Sequence, residues 1–370
     1  MARKPNRRQS GTSTIRDVAV RARVSPMTVS RVINGNKNVK PATREAVETA
    51  IRELNYSPNP AASSLARSDL IRIGLLYGNP SAAYLSEFLV GGLDQCSRSS
   101  VQLIVEKCDP GTDEDAVAQH LIASGIDGVI LPPPLCDAAS VIMLLAQSRT
   151  PAVAVATGRP ADTVSAVSID DYRAALEMTR HLVSLGHRRI GFIVGHPNQT
   201  ASGRRLDGYR AGLAEAGLAS VGELTAQGYF TYRSGLDAAE QLLALEELPT
   251  AIFASNDDMA AATVAVAHRL GLDVPADLTV CGFDDTALAT TISPELTTIR
   301  QPITEMSREA VRMLIDEIRR RRANKPAEHP HTLLDFELIR RQSDAAPRRR
   351  PRPLHGEAGR TRRGATEPMR

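Results

Sequence analysis

The stretch T-I-R-D-V-A-V-R-A-R-V-S-P-M-T-V-S-R-V-I-N, from Thr14 to Asn34, decides how the rest of the chain is read. It fits two short helices joined by a tight turn. Thr14 with Asp17 three residues on is a capping pair, so a first helix begins at Ile15. Val18, Ala19 and Ala22 recur at helical spacing and give that helix one apolar face. Val24 follows the turn, and Ser25-Pro26 supplies an N-cap and a proline at the first helical position. In the second helix, Pro26 to Asn34, Val29, Val32 and Ile33 turn inward and leave Pro26, Met27, Ser30 and Arg31 outside. A short helix with a free N-terminal face and an arginine one turn in suits a DNA major groove. The competing account of this stretch alone is an ordinary helical hairpin with a solvated basic side.

Charge favours the first account. Residues 1–68 carry 13 Lys and Arg against 4 Asp and Glu, a balance of +9, and residues 343–370 carry 8 Arg against 3 acids, +5. The whole chain stands at +3, so residues 69–342 hold −11. A basic head on an acidic body suggests that the head meets a polyanion and the body does not. With 370 residues, 42% hydrophobic and 24% charged, the chain has the composition of a soluble protein of two or three domains. No apolar run approaches the roughly 18 residues of a membrane span, and no apolar signal core follows the basic N-terminus, so a cytoplasmic protein is expected. Cys96, Cys108, Cys136 and Cys281 fit neither a zinc pattern nor a disulfide framework and read as buried free thiols. No cofactor and no metal is expected.

Residues 1–13, with Arg3, Lys4, Arg7 and Arg8, read as a disordered basic arm. A third helix runs from about Pro41 to Leu54, with Val47, Ala50, Ile51 and Leu54 packing on the first two, and Asn55-Tyr56-Ser57-Pro58-Asn59-Pro60 ends it. Ala61 to Arg67 then forms a segment that Asn59 can cap but that is too short to fold alone. Its small residues would let two copies pack closely, with Leu65 wedged into a minor groove; a plain linker is the alternative. From Ile71 the pattern becomes α/β. Strands at 71–77, 101–106, 128–131 and 152–156 alternate with helices at 84–97, 114–124 and 138–147. The alternation begins afresh with a helix at 172–185 and a strand at 189–194. Helices at 204–216 and 234–245 follow, then a strand at 251–254, a helix at 258–270 and a strand at 278–283. A long helix at 303–321 and a strand at 332–339 complete it. Two consecutive doubly wound parallel sheets facing across a cleft make a ligand-binding architecture. After Gln342 the Arg- and Pro-rich end has no periodicity and reads as disordered.

Taken together, these features resemble the LacI/GalR family of bacterial transcriptional repressors over residues 14–342. The most specific run is Asp17-Val18-Ala19, Val24-Ser25, Thr28 to Asn34, Thr43-Arg44 and Leu54 to Asn59. Further matches are Leu185 to Phe192, Arg205 to Tyr209, Asn256-Asp257, Gly282 to Asp285 and Leu296 to Ile299. The resemblance implies a helix-turn-helix head over 14–58 and a hinge helix and linker over 59–70. It also implies a periplasmic-binding-protein-like core over 71–342. Its first lobe would be 71–166 plus 300–324, its second 167–299 plus 325–342, with an Arg/Pro-rich tail over 343–370.

The same resemblance implies a homodimer on a palindromic operator in double-stranded DNA, switched by a small polar effector, a sugar or sugar derivative, in the cleft. Pro26, Met27 and Arg31 match its base-reading positions, Arg31 by a bidentate guanine contact and the other two by shape and thymine-methyl contact. Thr28 and Ser30 would hold phosphates. Thr14, Ser25, Asn34, Tyr56, Asn59 and Ala62 complete the DNA-facing set, with Leu65 as the minor-groove wedge. Arg205, Asn256 and Asp284 match effector-contacting positions, with Phe230 as a stacking aromatic and Asp171 as a further contact. A guanidinium, an amide and a carboxylate together satisfy adjacent hydroxyls.

Departures accompany these matches. Lys40 stands at a helix start where the family usually has Ser or Thr, and Pro132 where some sugar-responding members offer a polar side chain. Gln199 stands where purine-responding members carry a second arginine. The tail lacks a leucine-heptad pattern. Two other classes compete: a solute-binding transport protein, which the head disfavours, and an enzyme. For the enzyme there is no Walker loop, no G-x-S-x-G and no Cys/His pair, and His181, His187 and His196 are scattered.

Overall fold

In a computed structural model the described residues are 13–33, 39–54, 56, 70–108 and 113–348. They divide into two units, one within residues 1–70 and one beginning at Ile71.

The first unit holds α1 (Ile15–Ala22), α2 (Pro26–Ile33) and α3 (Pro41–Glu53). Thr14 caps α1 as its spacing predicts. The Thr14 side chain accepts from the Asp17 backbone N–H, and the Asp17 carboxylate accepts from the Thr14 backbone N–H at 2.8 Å. Arg23, at φ 54°, turns the chain out of α1, and the Ser25 hydroxyl accepts from the Thr28 N–H at 3.1 Å to start α2. Lys40 offers α3 no side-chain cap; Pro41 at the first position needs none for its missing N–H. Val18, Val29 and Val47 are wholly buried, one from each helix, and Tyr56 packs half-buried against them.

The second unit contains two six-stranded sheets. The first has the order β11-β5-β4-β3-β1-β2, formed by β1 (Arg72–Tyr77), β2 (Gln102–Lys107), β3 (Gly128–Leu131), β4 (Ala152–Val155), β5 (Ser165–Ser168) and β11 (His331–Leu333). On one face lie α4 (Ala82–Ser99) and α12 (Ile303–Arg322), on the other α5 (Glu114–Ala123) and α6 (Ala139–Gln147). α4 and α12 touch backbone to backbone, for a Cβ on Gly91 would stand 2.1 Å from the Thr304 carbonyl oxygen. Only glycine fits there.

The second sheet has the order β12-β10-β9-β8-β6-β7. Its strands are β6 (Ile190–Val194), β7 (Thr225–Gln227), β8 (Ala251–Ala254), β9 (Thr279–Asp284), β10 (Thr297–Arg300) and β12 (Glu337–Ile339). α7 (Asp171–Ser184) and α8 (Thr200–Glu215) cover one face, α9 (Tyr232–Leu243) and α10 (Asp257–Arg269) the other. A single turn, α11 (Leu288–Thr291), precedes β10. All pairings are parallel except β10 with β12.

Three expectations from the sequence need correction. The strand expected over 332–339 is two strands in different sheets: His331–Leu333 pairs with β5 and Glu337–Ile339 with β10. Val167 and Ser168, assigned to the second lobe, belong to β5 of the first. Nor does the fold end at Gln342. The Ser343 hydroxyl accepts from the Thr297 N–H at 2.8 Å, Asp344 binds His181 at 2.8 Å, and the Ala345 carbonyl faces the His187 ring at 2.8 Å. Ser343 and Asp344 are buried, so the second lobe includes them. The strands β5, β7 and β10 (S-A-V-S, T-A-Q and T-T-I-R) mix polar residues into three or four positions and so present no apolar run for a sequence reading to find. Of the arm over 1–13, residues 1–12 lie outside the described residues, as does the tail from 349, whereas the Ser13 hydroxyl donates to the Leu54 carbonyl at 2.8 Å and so belongs to the head.

Candidate functional site

The cleft between the sheets is built from strand ends. Parallel strands present their C-terminal ends to one edge of a sheet, where loops free of ladder hydrogen bonds can hold polar side chains toward a ligand. Asn79 and Ser81 follow β1, Gln199 follows β6, Asn256 follows β8, Asp284 ends β9 and Gln301 follows β10. These residues line one crevice between the two sheets. Hydrogen bonds cross between the lobes: Ser81 donates to Asp258 at 2.6 Å, and the Thr200 N–H and hydroxyl donate to Asp137 at 2.8 and 2.9 Å.

Arg205, on α8, is the centre of the polar set. Its Nε donates to Asp171 at 2.7 Å and one Nη to the Ser255 carbonyl at 2.6 Å; the same Nη stands 3.8 Å from Asp284. Its guanidinium also lies 3.6 Å from the centroid of the Phe283 ring and 5.7 Å from that of Phe230. Burial drives the Asp171 carboxyl above its ordinary value, and Arg205 opposes this. Burial does the same to Asp284, to a larger extent, again opposed by Arg205 and reinforced by the charge of Asp257. Asp257 itself is pushed up to about 7 by burial, although Thr298 and Thr286 donate to it.

Backbone conformation adds to the picture. Asp284 has φ 112° and Phe230 φ 60°, values that L-residues adopt at a cost of order 1–3 kcal/mol each. Asn256 caps α10, its carbonyl oxygen accepting from the Met259 N–H at 3.0 Å, and its amide donates to the Phe230 carbonyl at 3.1 Å. The Phe230 ring rests on Gly195, where a Cβ would come within 2.0 Å of it.

Of the residues expected at the effector site, Arg205, Asn256, Asp284 and Phe230 therefore meet along one cleft. Asp171 does not line it; it stands behind Arg205 and holds it. The sequence reading placed every candidate in the second lobe and missed Tyr84 and Gln301. The usable signal was position: Tyr84 lies in the first turn of α4, the helix after β1, and Gln301 directly after β10.

On α2, Pro26, Met27 and Arg31 are exposed, Met27 at 65%, and Thr28 and Ser30 are half-buried. Thr14 and Ser25 occupy the starts of α1 and α2, whereas Tyr56 packs on the three-helix core. Asn34, Asn59, Ala62 and Leu65 lie outside the described residues.

Residues 14–59 match the pattern of bacterial regulatory proteins of the lacI family, and residues 179–343 that of a periplasmic binding protein-like domain. Catabolite control protein A of Priestia megaterium is 34% identical over 303 residues, which span 81% of this chain and 91% of that protein. The chain belongs to the lacI family. This family member is a transcriptional repressor whose relatives are regulators, not enzymes. Its fold is similar to that of a chain in a crystal structure of the lac repressor dimer bound to operator and the anti-inducer ONPF. That match has a TM-score of 0.78 at 27% identity, covering 90% of this chain and all of that one. The transcriptional regulator CelR in complex with cellobiose matches at 0.67 and 32% identity, covering 90% and 99%. Among the described residues no helix is long and apolar enough to cross a membrane.

Proposed function

We propose that this repressor binds a near-palindromic operator as a dimer and is switched by a small polyhydroxylated effector, a sugar or sugar derivative, held between its lobes. The observation that carries the effector reading is the convergence of a guanidinium, an amide and a carboxylate, from Arg205, Asn256 and Asp284, at one cleft. A CelR structure that matches this chain holds cellobiose, which supports a carbohydrate. On DNA, Arg31 pairs with a guanine, Pro26 and Met27 select by shape, and Thr28, Ser30 and the amide end of α2 hold phosphates. Lobe closure and operator binding communicate through residues 59–70, of which 59–69 lie outside the described residues. To reverse operator occupancy from 99:1 to 1:99, the effector must discriminate between conformers by about 5.5 kcal/mol. An effector that favours release and one that favours binding both satisfy this requirement.

The test is selection of duplexes from a randomised library, followed by titration with sugars. Recovery of a palindrome whose occupancy changes with a sugar supports the reading, and Asp284→Asn abolishes that change while sparing operator binding. Equal affinity for selected and scrambled duplexes, with and without sugars, refutes it.

A further inference from the structure

The start of α8, in the second lobe, is held by the first. Gln199, at the N-cap of this helix, makes no side-chain capping bond. The cap comes instead from Asp137, in the turn after β3: its carboxylate accepts from the Thr200 N–H at 2.8 Å and from the Thr200 hydroxyl at 2.9 Å. A carboxylate at a helix N-terminus is favoured by the peptide dipoles as well as by the bonds it accepts. The Thr200 hydroxyl also accepts from the Gly158 and Arg159 N–H groups, at 2.8 and 3.1 Å, in the loop after β4. A hydroxyl has one proton to donate and two lone pairs, so the first lobe satisfies this one completely. Thr157, buried beside it, donates to Asp137 at 2.7 Å and fixes the carboxylate in place.

Shape selects the same contact. A Cβ on Gly158 would stand 2.8 Å from the Ala201 nitrogen and from the Thr200 carbonyl carbon and oxygen, closer than a methyl group can approach a backbone. The φ of Gly158 does not lie in the left-handed region, so its backbone is one that any residue can adopt. Glycine is needed at 158 only while α8 lies against the loop. With the lobes apart, an alanine methyl there would be clear of α8. All of these bonds join protein to protein and act with any effector or none. Elsewhere in the cleft Ser81 adds a single bond to Asp258.

We propose that Asp137, Gly158 and Thr200 form a latch that makes the closed cleft the resting conformer of the two lobes. Opening strips α8, which carries Arg205, of its cap. An effector that enters through the open form then has its apparent affinity reduced by the open fraction, so the latch sets the sensitivity of the switch without touching the ligand.

The experiment measures the distance between the lobes in the full chain without sugar or DNA, so its outcome is independent of the effector and operator readings. Spin labels are placed on Ala116→Cys in the first turn of α5 and Arg233→Cys in the first turn of α9, both exposed; the four native cysteines are buried and stay unlabelled. Labelled chain is diluted into an excess of unlabelled chain, so that pulsed electron resonance reads the distance within one chain. The parent should show one major population at the separation seen in this structure. Gly158→Ala should make a longer distance the major population. Thr200→Val, which keeps the shape and loses the hydroxyl, should raise the open-to-closed ratio about tenfold, and so should Asp137→Ala. Thr200→Ser should leave the ratio unchanged. The melting midpoint should move little in all four, because the latch lies between the lobes and not in the core of either. The proposal is overturned if the parent is chiefly open, or if Gly158→Ala and Thr200→Val leave the distances as they were. It is equally overturned if Thr200→Ser opens the cleft as far as Thr200→Val, or if Gly158→Ala fails to fold, since an open cleft has room for its methyl.

Discussion

Replacing Arg205 by methionine tests the electrostatics of the cleft directly. The substitution keeps much of the side-chain volume but leaves Asp171 and Asp284, both at least nine-tenths buried, without their common cation. Removing one partner of a buried, hydrogen-bonded ion pair costs about 3–5 kcal/mol. For a unit of this size that is a fall in melting temperature on the order of 10 °C. The fall should depend on pH. Asp171 and Asp284 have folded-state values above the ordinary 3.8. The folded protein therefore holds protons that the unfolded chain has released, and their contribution favours folding in acid. It is complete below the unfolded value and is lost as pH rises through the raised folded values. Arg205 lowers both values, so its removal raises them further and the variant gains more from acid than the parent does. Thermal unfolding of both proteins at pH 7.5 and pH 5 should show the gap narrowing, and Asp171→Asn in the variant should recover part of it at pH 7.5. A gap that stays constant with pH, or a variant within about 0.5 kcal/mol of the parent, refutes the reasoning.

Arg31→Ala should reduce the preference for operator over random duplex by about 1–3 kcal/mol while non-specific binding persists; fluorescence anisotropy on both duplexes reads this, and an unchanged preference removes Arg31 as a base reader. Truncation after Gln342 should lower the melting midpoint by several degrees, for it removes the hydrogen bonds of Ser343 and Asp344 and strips the Ala345 carbonyl from His187. Truncation after Arg348 should not. Equal midpoints for the two truncations would show that residues 343–348 add nothing to the core.

Much was legible before any coordinates. The capping pair Thr14 and Asp17 marked the start of α1, and Ser25-Pro26 the start of α2, because caps act over three or four residues and depend on nothing distant. The strands at 128–131 and 251–254 lie where their apolar runs placed them. Arg205, Asn256 and Asp284 were singled out by resemblance, and they do converge.

The alternation of apolar runs and amphipathic helices is a local property of the chain, and it was enough to require two parallel sheets. Which sheet each short strand joins is another matter. The split of residues 331–339 between the two sheets, the docking of 343–348 beside β9, and the meeting of Tyr84 and Gln301 with Asp284 all join residues far apart in the chain. No periodicity encodes such meetings. Packing settles them, because only in the folded core do particular buried groups find, or fail to find, a partner.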